Sequence, residues 1–295
     1  MHRRHFLASA TALAAASACA QAQTTAAVET IPLDLSGPRL TAQLRIGEFE
    51  PVTAIFDTGA AGSVLKLAYA TRIGAPNQGQ AAAVAPGGTP IPGHRTTIEG
   101  RLGNARFGRA MAVALDIPLP LEGIDAIISP AVFSGRLVRF DFPRSVAEII
   151  PKSVVAIPPG PAIPYHNDRG GGHMVRRIPA VELVLPGQQP LMAIADSGAS
   201  RGLLLPLRMA ASLPLATPLS PAPPVRMMGI TFDAQTARLG AAARIGAIEF
   251  RDLEVTFVDG ETPANVGFSI LRQVVLVLDP EAHRSWLLPA SSASH

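Results

Sequence analysis

The heptapeptide Ala54-Ile55-Phe56-Asp57-Thr58-Gly59-Ala60 recurs 139 residues later as Ala193-Ile194-Ala195-Asp196-Ser197-Gly198-Ala199. A second landmark keeps the same distance. Ile127-Ile128-Ser129 is followed twelve residues on by Asp141, and Val266-Gly267 is followed twelve residues on by Asp279, an offset of 138. Two separate landmarks agreeing on one spacing indicate an internal duplication, so the chain must fold as two similar halves.

The grammar within each half is that of short strands. Aromatic residues make up only 5% of the 295 residues, against 28 Pro and 26 Gly, a balance that favours strands and turns over long helices. Expected strands in the first half are Leu40 to Ile46, Val52 to Phe56, Ala110 to Ala114 and Val138 to Phe142, with one short helix over Leu65 to Ile73. In the second half they are Val181 to Leu185, Leu191 to Ala195, Arg244 to Ile248, Leu253 to Val258 and Val274 to Leu278. Between the halves, Pro158-Pro159-Gly160-Pro161 through Gly170-Gly171-Gly172 has no periodicity and reads as a linker or crossing. The organisation expected is a first lobe over residues 28–150, a Pro/Gly-rich linker over 151–177 and a second lobe over 178–290, all-β, built as barrels or sandwiches.

Residues 1–22 read as a secretory leader: the basic His2-Arg3-Arg4-His5, the apolar run Phe6 to Ala18, and small-x-small sites at Ala18-Cys19-Ala20 and Ala20-Gln21-Ala22. The run is shorter than the ~20 residues of a membrane span. Arg3-Arg4-His5-Phe6-Leu7 resembles a twin-arginine signal, with His2 where that signal has Ser or Thr, so either export route fits. Periplasmic or secreted destinations follow; a lipid anchor through Cys19 is the lesser alternative, because Ala16 stands where such sites carry Leu. Cys19 is the single cysteine, so packing alone must hold the mature domain. Without Arg3 and Arg4 the net charge falls from +3 to about +1, with no basic run, which argues against nucleic acid as a partner.

A lone Asp-Thr-Gly is a turn signal. Here each copy closes an apolar strand and precedes another hydrophobic run, Val64-Leu65 or Leu203-Leu204-Leu205, which places a carboxylate at the edge of an apolar core. Lobes related by an approximate two-fold would bring the two loops together, and two adjacent carboxylates hold one proton between them. Phe56-Asp57-Thr58-Gly59-Ala60 and Ala195-Asp196-Ser197-Gly198-Ala199 resemble the active-site loops of aspartic proteases, and Asp125-Ala126-Ile127-Ile128-Ser129 and Asn265-Val266-Gly267 resemble the segments packed beneath them. Ala60 and Ala199 are similar to the retropepsin branch, whereas two copies in one chain imply the bilobal, pepsin-like fold of a monomer with two β-barrel lobes. The resemblance implies an endopeptidase with Asp57 and Asp196 as the catalytic pair, Thr58 and Ser197 bonding across the loops, Gly59 and Gly198 allowing close approach, a peptide or protein substrate, and no metal or cofactor.

Departures from the pattern set the alternative. Ser129 replaces a Gly, where it would either crowd the loop or hydrogen-bond to it, and neither Tyr69 nor Tyr165 suits a flap. These features keep open a catalytically silent relative that binds peptides or a partner in the same cleft. Candidate flaps are Ala85 to Arg95 and Met227-Met228-Gly229-Ile230, the Met pair lining a subsite or serving as core. Ala60 and Ala199 lack hydroxyls that would stabilise an ionised pair, so an optimum less acidic than that of pepsins is expected. His166, Asp168 and His173 match no metal spacing and read as a solvated loop. Gly170 to Gly172 lacks the Lys of a phosphate cradle, and Gly267-Phe268-Ser269-Ile270-Leu271 lacks the second Gly of a nucleophile elbow. Asp141 and Asp279 read as turn residues.

Overall fold

The computed structural model describes residues 27–84, 90–116, 123–154, 158, 160–168, 176–227, 230–260 and 262–290. The leader with Cys19, the tips of both candidate flaps (85–89 and 228–229), and the Gly170–Gly172 run with His173 lie outside the described residues.

The first lobe is a closed barrel. Its strands run in the order Thr41–Ile46, Val52–Phe56, Ile124–Ile128, Ser63–Lys66, Ala105–Leu115 and Pro90–Leu102, and Leu44 to Ile46 pair with Gly100 to Leu102 to complete the ring. Gln80–Val84 extends one end as a hairpin with Pro90–Leu102. The alternating inward residues of the ring, among them Leu44, Phe56, Leu65 and Leu102, fill its interior. The expected helix starts later than the sequence suggests: Ser63–Lys66 is a strand and only Leu67–Arg72 is helical.

The second lobe repeats this order with Ala180–Val184, Leu191–Asp196, Asn265–Gly267, Leu203–Pro206, Glu254–Val258, Ile230–Arg238 and Ser220–Met227. One strand is broken. The 13-residue strand Pro90–Leu102 of the first lobe corresponds to Ile230–Arg238 plus Ala243–Ile245, and it is the latter that pairs with Ala180–Val184. The segment Arg244 to Ile248, expected as one strand, is instead the turn of a hairpin between Ala243–Ile245 and Ile248–Phe250; Gly246 supplies the positive φ of 57° that the turn needs.

A third sheet joins the lobes in the order Glu29–Pro32, Val146–Pro151, Arg136–Asp141, Val274–Asp279, Arg284–Pro289 and Ile163–Pro164. Its central antiparallel pair obeys the duplication: Phe140 faces Leu276 and Val138 faces Leu278, partners that exchange under the offset of 138. The two-fold therefore passes between these strands. Val274–Asp279 is buried at every residue because both faces are covered, Leu276 and Leu278 by the main core and Val275 and Val277 by Leu137, Ile150 and Trp286. Within residues 151–177 the crossing contributes Ile163–Pro164 to this sheet, and His166–Asp168 pairs with Arg176–Ile178.

Asp141 and Asp279 end the central strands. Asp279 Oδ1 accepts the backbone N–H groups of Glu281 and Ala282 and closes a turn, as its position suggests. Asp141 makes no such cap; its buried carboxylate is paired with Arg139 at 3.1 Å. Phe56, Phe140, Phe142 and Phe268 form a continuous chain of ring contacts, with centroids 4.8, 5.5 and 6.2 Å apart, that runs from the first lobe through the joining sheet into the second. Phe56 immediately precedes Asp57, so one loop of the site is anchored on the rings that tie the lobes together.

Candidate active site

Each Asp stands at the end of a strand held by a parallel neighbour. Val52–Phe56 pairs with Ile124–Ile128, and the Asp57 N–H extends the ladder by donating to the Ile128 carbonyl at 2.9 Å. Leu191–Asp196 pairs with Asn265–Gly267, placing Asp196 beside Gly267. Apolar strands with few hydrogen-bonding alternatives fix both carboxyls on rigid supports.

The two loops interlock. The Thr58 N–H donates to Ser197 Oγ at 3.0 Å, and the Ser197 N–H donates to Thr58 Oγ1 at 2.9 Å. Each hydroxyl then donates onward, Thr58 Oγ1 to the Ala195 carbonyl at 2.6 Å and Ser197 Oγ to the Phe56 carbonyl at 2.7 Å. Both side chains are completely buried, so every donor and acceptor in this reciprocal set is satisfied by the opposite lobe. Gly59 and Gly198 cover the partner carboxyls closely. A Cβ at Gly59 would lie 2.4 Å from Asp196 Cγ, and one at Gly198 would lie 2.5 Å from Asp57 Cγ. All six residues singled out in the sequence, Asp57, Thr58, Gly59, Asp196, Ser197 and Gly198, meet at this point.

Burial and the neighbouring Asp196 carboxylate push the Asp57 carboxyl well above the usual range, and the Gly59 N–H and the Arg39 guanidinium oppose that rise. Arg39 is a residue that the sequence does not advertise. It is half-buried, its Nε donates to the Gly198 carbonyl at 2.6 Å across the lobes, and its charge acts on both carboxyls. Asn265 is a second: its Nδ2 donates to Asp196 Oδ2 at 2.6 Å. The only sequence signal for it was a polar residue at the place where the first copy has Ile127.

Ser129 resolves in favour of a hydrogen bond. Its Oγ donates to the Ala60 carbonyl at 2.7 Å, and its N–H donates to Ser63 Oγ at 3.2 Å. At the matching position Gly267 has no such room, since a Cβ there would lie 2.1 Å from the Arg201 carbonyl oxygen. The first-lobe loop is thus shaped around a serine that supports it. A cavity of about 460 Å³ opens beside this loop, bordered by Ala60, Ala61, Ser129, Tyr165, Arg177 and His283, with Arg177 Nη1 2.9 Å from His283 Nδ1. Among the described residues no cluster of His, Cys, Asp or Glu has the makings of a metal site, and no helix is long and apolar enough to cross a membrane.

Two β lobes of matching strand order, the first a closed barrel, share a joining sheet with a carboxyl pair at their contact and interlocked Thr and Ser behind it, which defines an all-β, two-lobed protein of the acid-protease fold. Residues 42–129, spanning the first carboxyl loop and the strand beneath it, match the family model for aspartyl proteases. A comparison with curated proteins gives no match.

Proposed function

We propose that the chain is an aspartic endopeptidase that hydrolyses peptide bonds with a water molecule activated between Asp57 and Asp196. The observation that carries this reading is the interlocked loop pair: four hydrogen bonds across the lobes hold two carboxyls side by side, an arrangement in which a pair of carboxyls shares one proton. In the first step the ionised carboxylate takes a proton from water as its oxygen bonds to the scissile carbonyl carbon, and the protonated carboxyl gives its proton to the carbonyl oxygen. In the second, the C–N bond breaks, the amine nitrogen receives the proton taken from water, and the other carboxyl recovers its proton from the diol. Thr58, Ser197, Gly59 and Gly198 position the pair and take no part in proton transfer.

On this reading one chain supplies both carboxyls and works as a monomer, exported behind the leader at 1–22 to the periplasm or medium. Peptides or proteins are the substrates, and the pH optimum is less acidic than that of pepsins; a maximum below about pH 3 would reject that last point. The direct test is a diverse peptide library from pH 3 to 8 with wild type and Asp196→Asn side by side. Cleavage by wild type alone, blocked by a statine inhibitor, supports the proposal. No cleavage by a folded wild type refutes it and favours a peptide-binding cleft.

A further inference from the structure

The two halves of the site are closely matched, and one of the places where they differ is a side-chain hydrogen bond made directly to a carboxyl. Thr58 and Ser197 mirror each other, as do Gly59 and Gly198, and the Arg39 charge acts on both carboxyls. Asn265 has no counterpart. It occupies the place of Ile127 in the first copy: Asn265 pairs with Ile194 as Ile127 pairs with Ile55. Ile127 packs with Ile55 and Ile124 against Ala60 and Val64 and offers no polar atom to Asp57.

We propose that Asn265 is a positioning residue that fixes Asp196 as the ionised member of the pair and leaves the shared proton on Asp57. The inference rests on the hydrolytic reading for its mechanistic meaning and on geometry for its content. Both oxygens of Asp196 already accept N–H groups, Oδ1 from Ala199 at 2.9 Å and Oδ2 from Asn265 at 2.6 Å. A proton on either oxygen would face a donor and weaken that bond. Among the described residues Asp57 receives a single N–H bond, from Gly59 to Oδ1 at 2.8 Å, which leaves its Oδ2 to carry the proton. A hydrogen bond to a charged acceptor is about twice as strong as one between neutral groups, so the amide stabilises the anion over the acid.

The cost of keeping an amide here is visible. Asn265 Oδ1 is buried and has no hydrogen-bond partner among the described residues, which an apolar residue like Ile127 would avoid. The reverse amide orientation would turn Oδ1 toward Asp196 and would demand the proton on Asp196, so the two orientations predict opposite proton placements. In the cycle, Asp196 then takes the proton from water and Asp57 donates to the carbonyl oxygen.

The test is direct observation of the carboxyls by NMR in the full chain labelled with ¹³Cγ-aspartate, assigned with Asp57→Asn and Asp196→Asn. Between the two titration steps of the pair, Asp196 should show a carboxylate shift and Asp57 a carboxyl shift. Asn265→Leu, close in size to the amide, should even out the two signals and move the first deprotonation of the pair upward by about one to two pH units. The acidic limb of the kcat/KM profile should move with it, a change that a purely structural role would not produce. A carboxyl shift on Asp196 in wild type overturns the proposal, as does an Asn265→Leu spectrum unchanged from wild type. The wild-type spectrum decides the matter alone should that variant fail to fold. Asymmetric titration in a wild type that cleaves nothing refutes the hydrolytic reading while upholding the proton placement.

Discussion

Thr58→Val isolates the interlock from packing, because valine nearly reproduces the shape of a threonine that is fully buried. The substitution removes the acceptor for the Ser197 N–H and the donor to the Ala195 carbonyl, bonds of 2.9 and 2.6 Å. Both stranded groups sit where the opposite lobe excludes water. An unsatisfied buried group costs about 1–3 kcal/mol, and the two share one interface, so we expect a loss of about 2–4 kcal/mol. That is a large part of the roughly 5–15 kcal/mol that holds a typical domain. With a urea slope near 3 kcal/mol/M the unfolding midpoint should fall by roughly 1 M. Thr58→Ser keeps the hydroxyl and loses one methyl group, for about 1 kcal/mol. Ser197→Ala removes the other two bonds, and the double variant should lose at least ~1 kcal/mol less than the sum, since either change alone already loosens the shared loop contact. Urea unfolding of wild type and the four variants decides the point. A Thr58→Val midpoint equal to wild type, or a Thr58→Ser loss as large as that of Thr58→Val, would refute the claim that these bonds clamp the lobes.

Further outcomes follow from the same geometry. Gly59→Ala and Gly198→Ala should each cut kcat/KM at least ~100-fold by forcing the facing carboxyl aside, whereas Gly62→Ala, with nothing within 4 Å of its Cβ, should leave peptide cleavage unchanged. Asp57→Asn should abolish cleavage yet stabilise the protein near neutral pH. The folded state holds the Asp57 proton above the ordinary value of 3.8, where the unfolded chain has released it, so wild-type stability falls as pH rises from there through the raised folded value. Melting temperatures from pH 3 to 8 should show the Asn variant ahead at pH 7 and level with wild type below about pH 3.8; a wild type that melts higher at pH 7 contradicts the assignment. Arg39→Met removes a charge that lowers Asp57, so the alkaline limb of the kcat/KM profile should move to higher pH, and a shift to lower pH would count against it.

The repeat made much of this molecule legible in one dimension. Asp57 and Asp196, their Thr or Ser and Gly neighbours, the strand-rich halves and the two-fold all follow from a local pattern that appears twice, because such a pattern carries its own strand, turn and burial requirements wherever it stands. The splitting of Arg244 to Ile248 into a hairpin was lost in that reading, since alternation of apolar residues does not register a turn that one glycine can make. What remained hidden depended on distance. Arg39 reaches Gly198 across 159 residues, and nothing beside Arg39 in the chain announces it. Asn265 lies 69 residues from Asp196, and its role exists only because parallel pairing sets the two side by side. Ser129 could be weighed in sequence only as crowding or bonding; the carbonyl of Ala60 at 2.7 Å decided between them. The sequence thus determined which groups the chain possesses and that it possesses them in duplicate. Tertiary structure decided which copy each solitary residue serves, because an approximate two-fold is broken by contacts between residues far apart in the chain, and those contacts form only when the sheets assemble and the lobes meet.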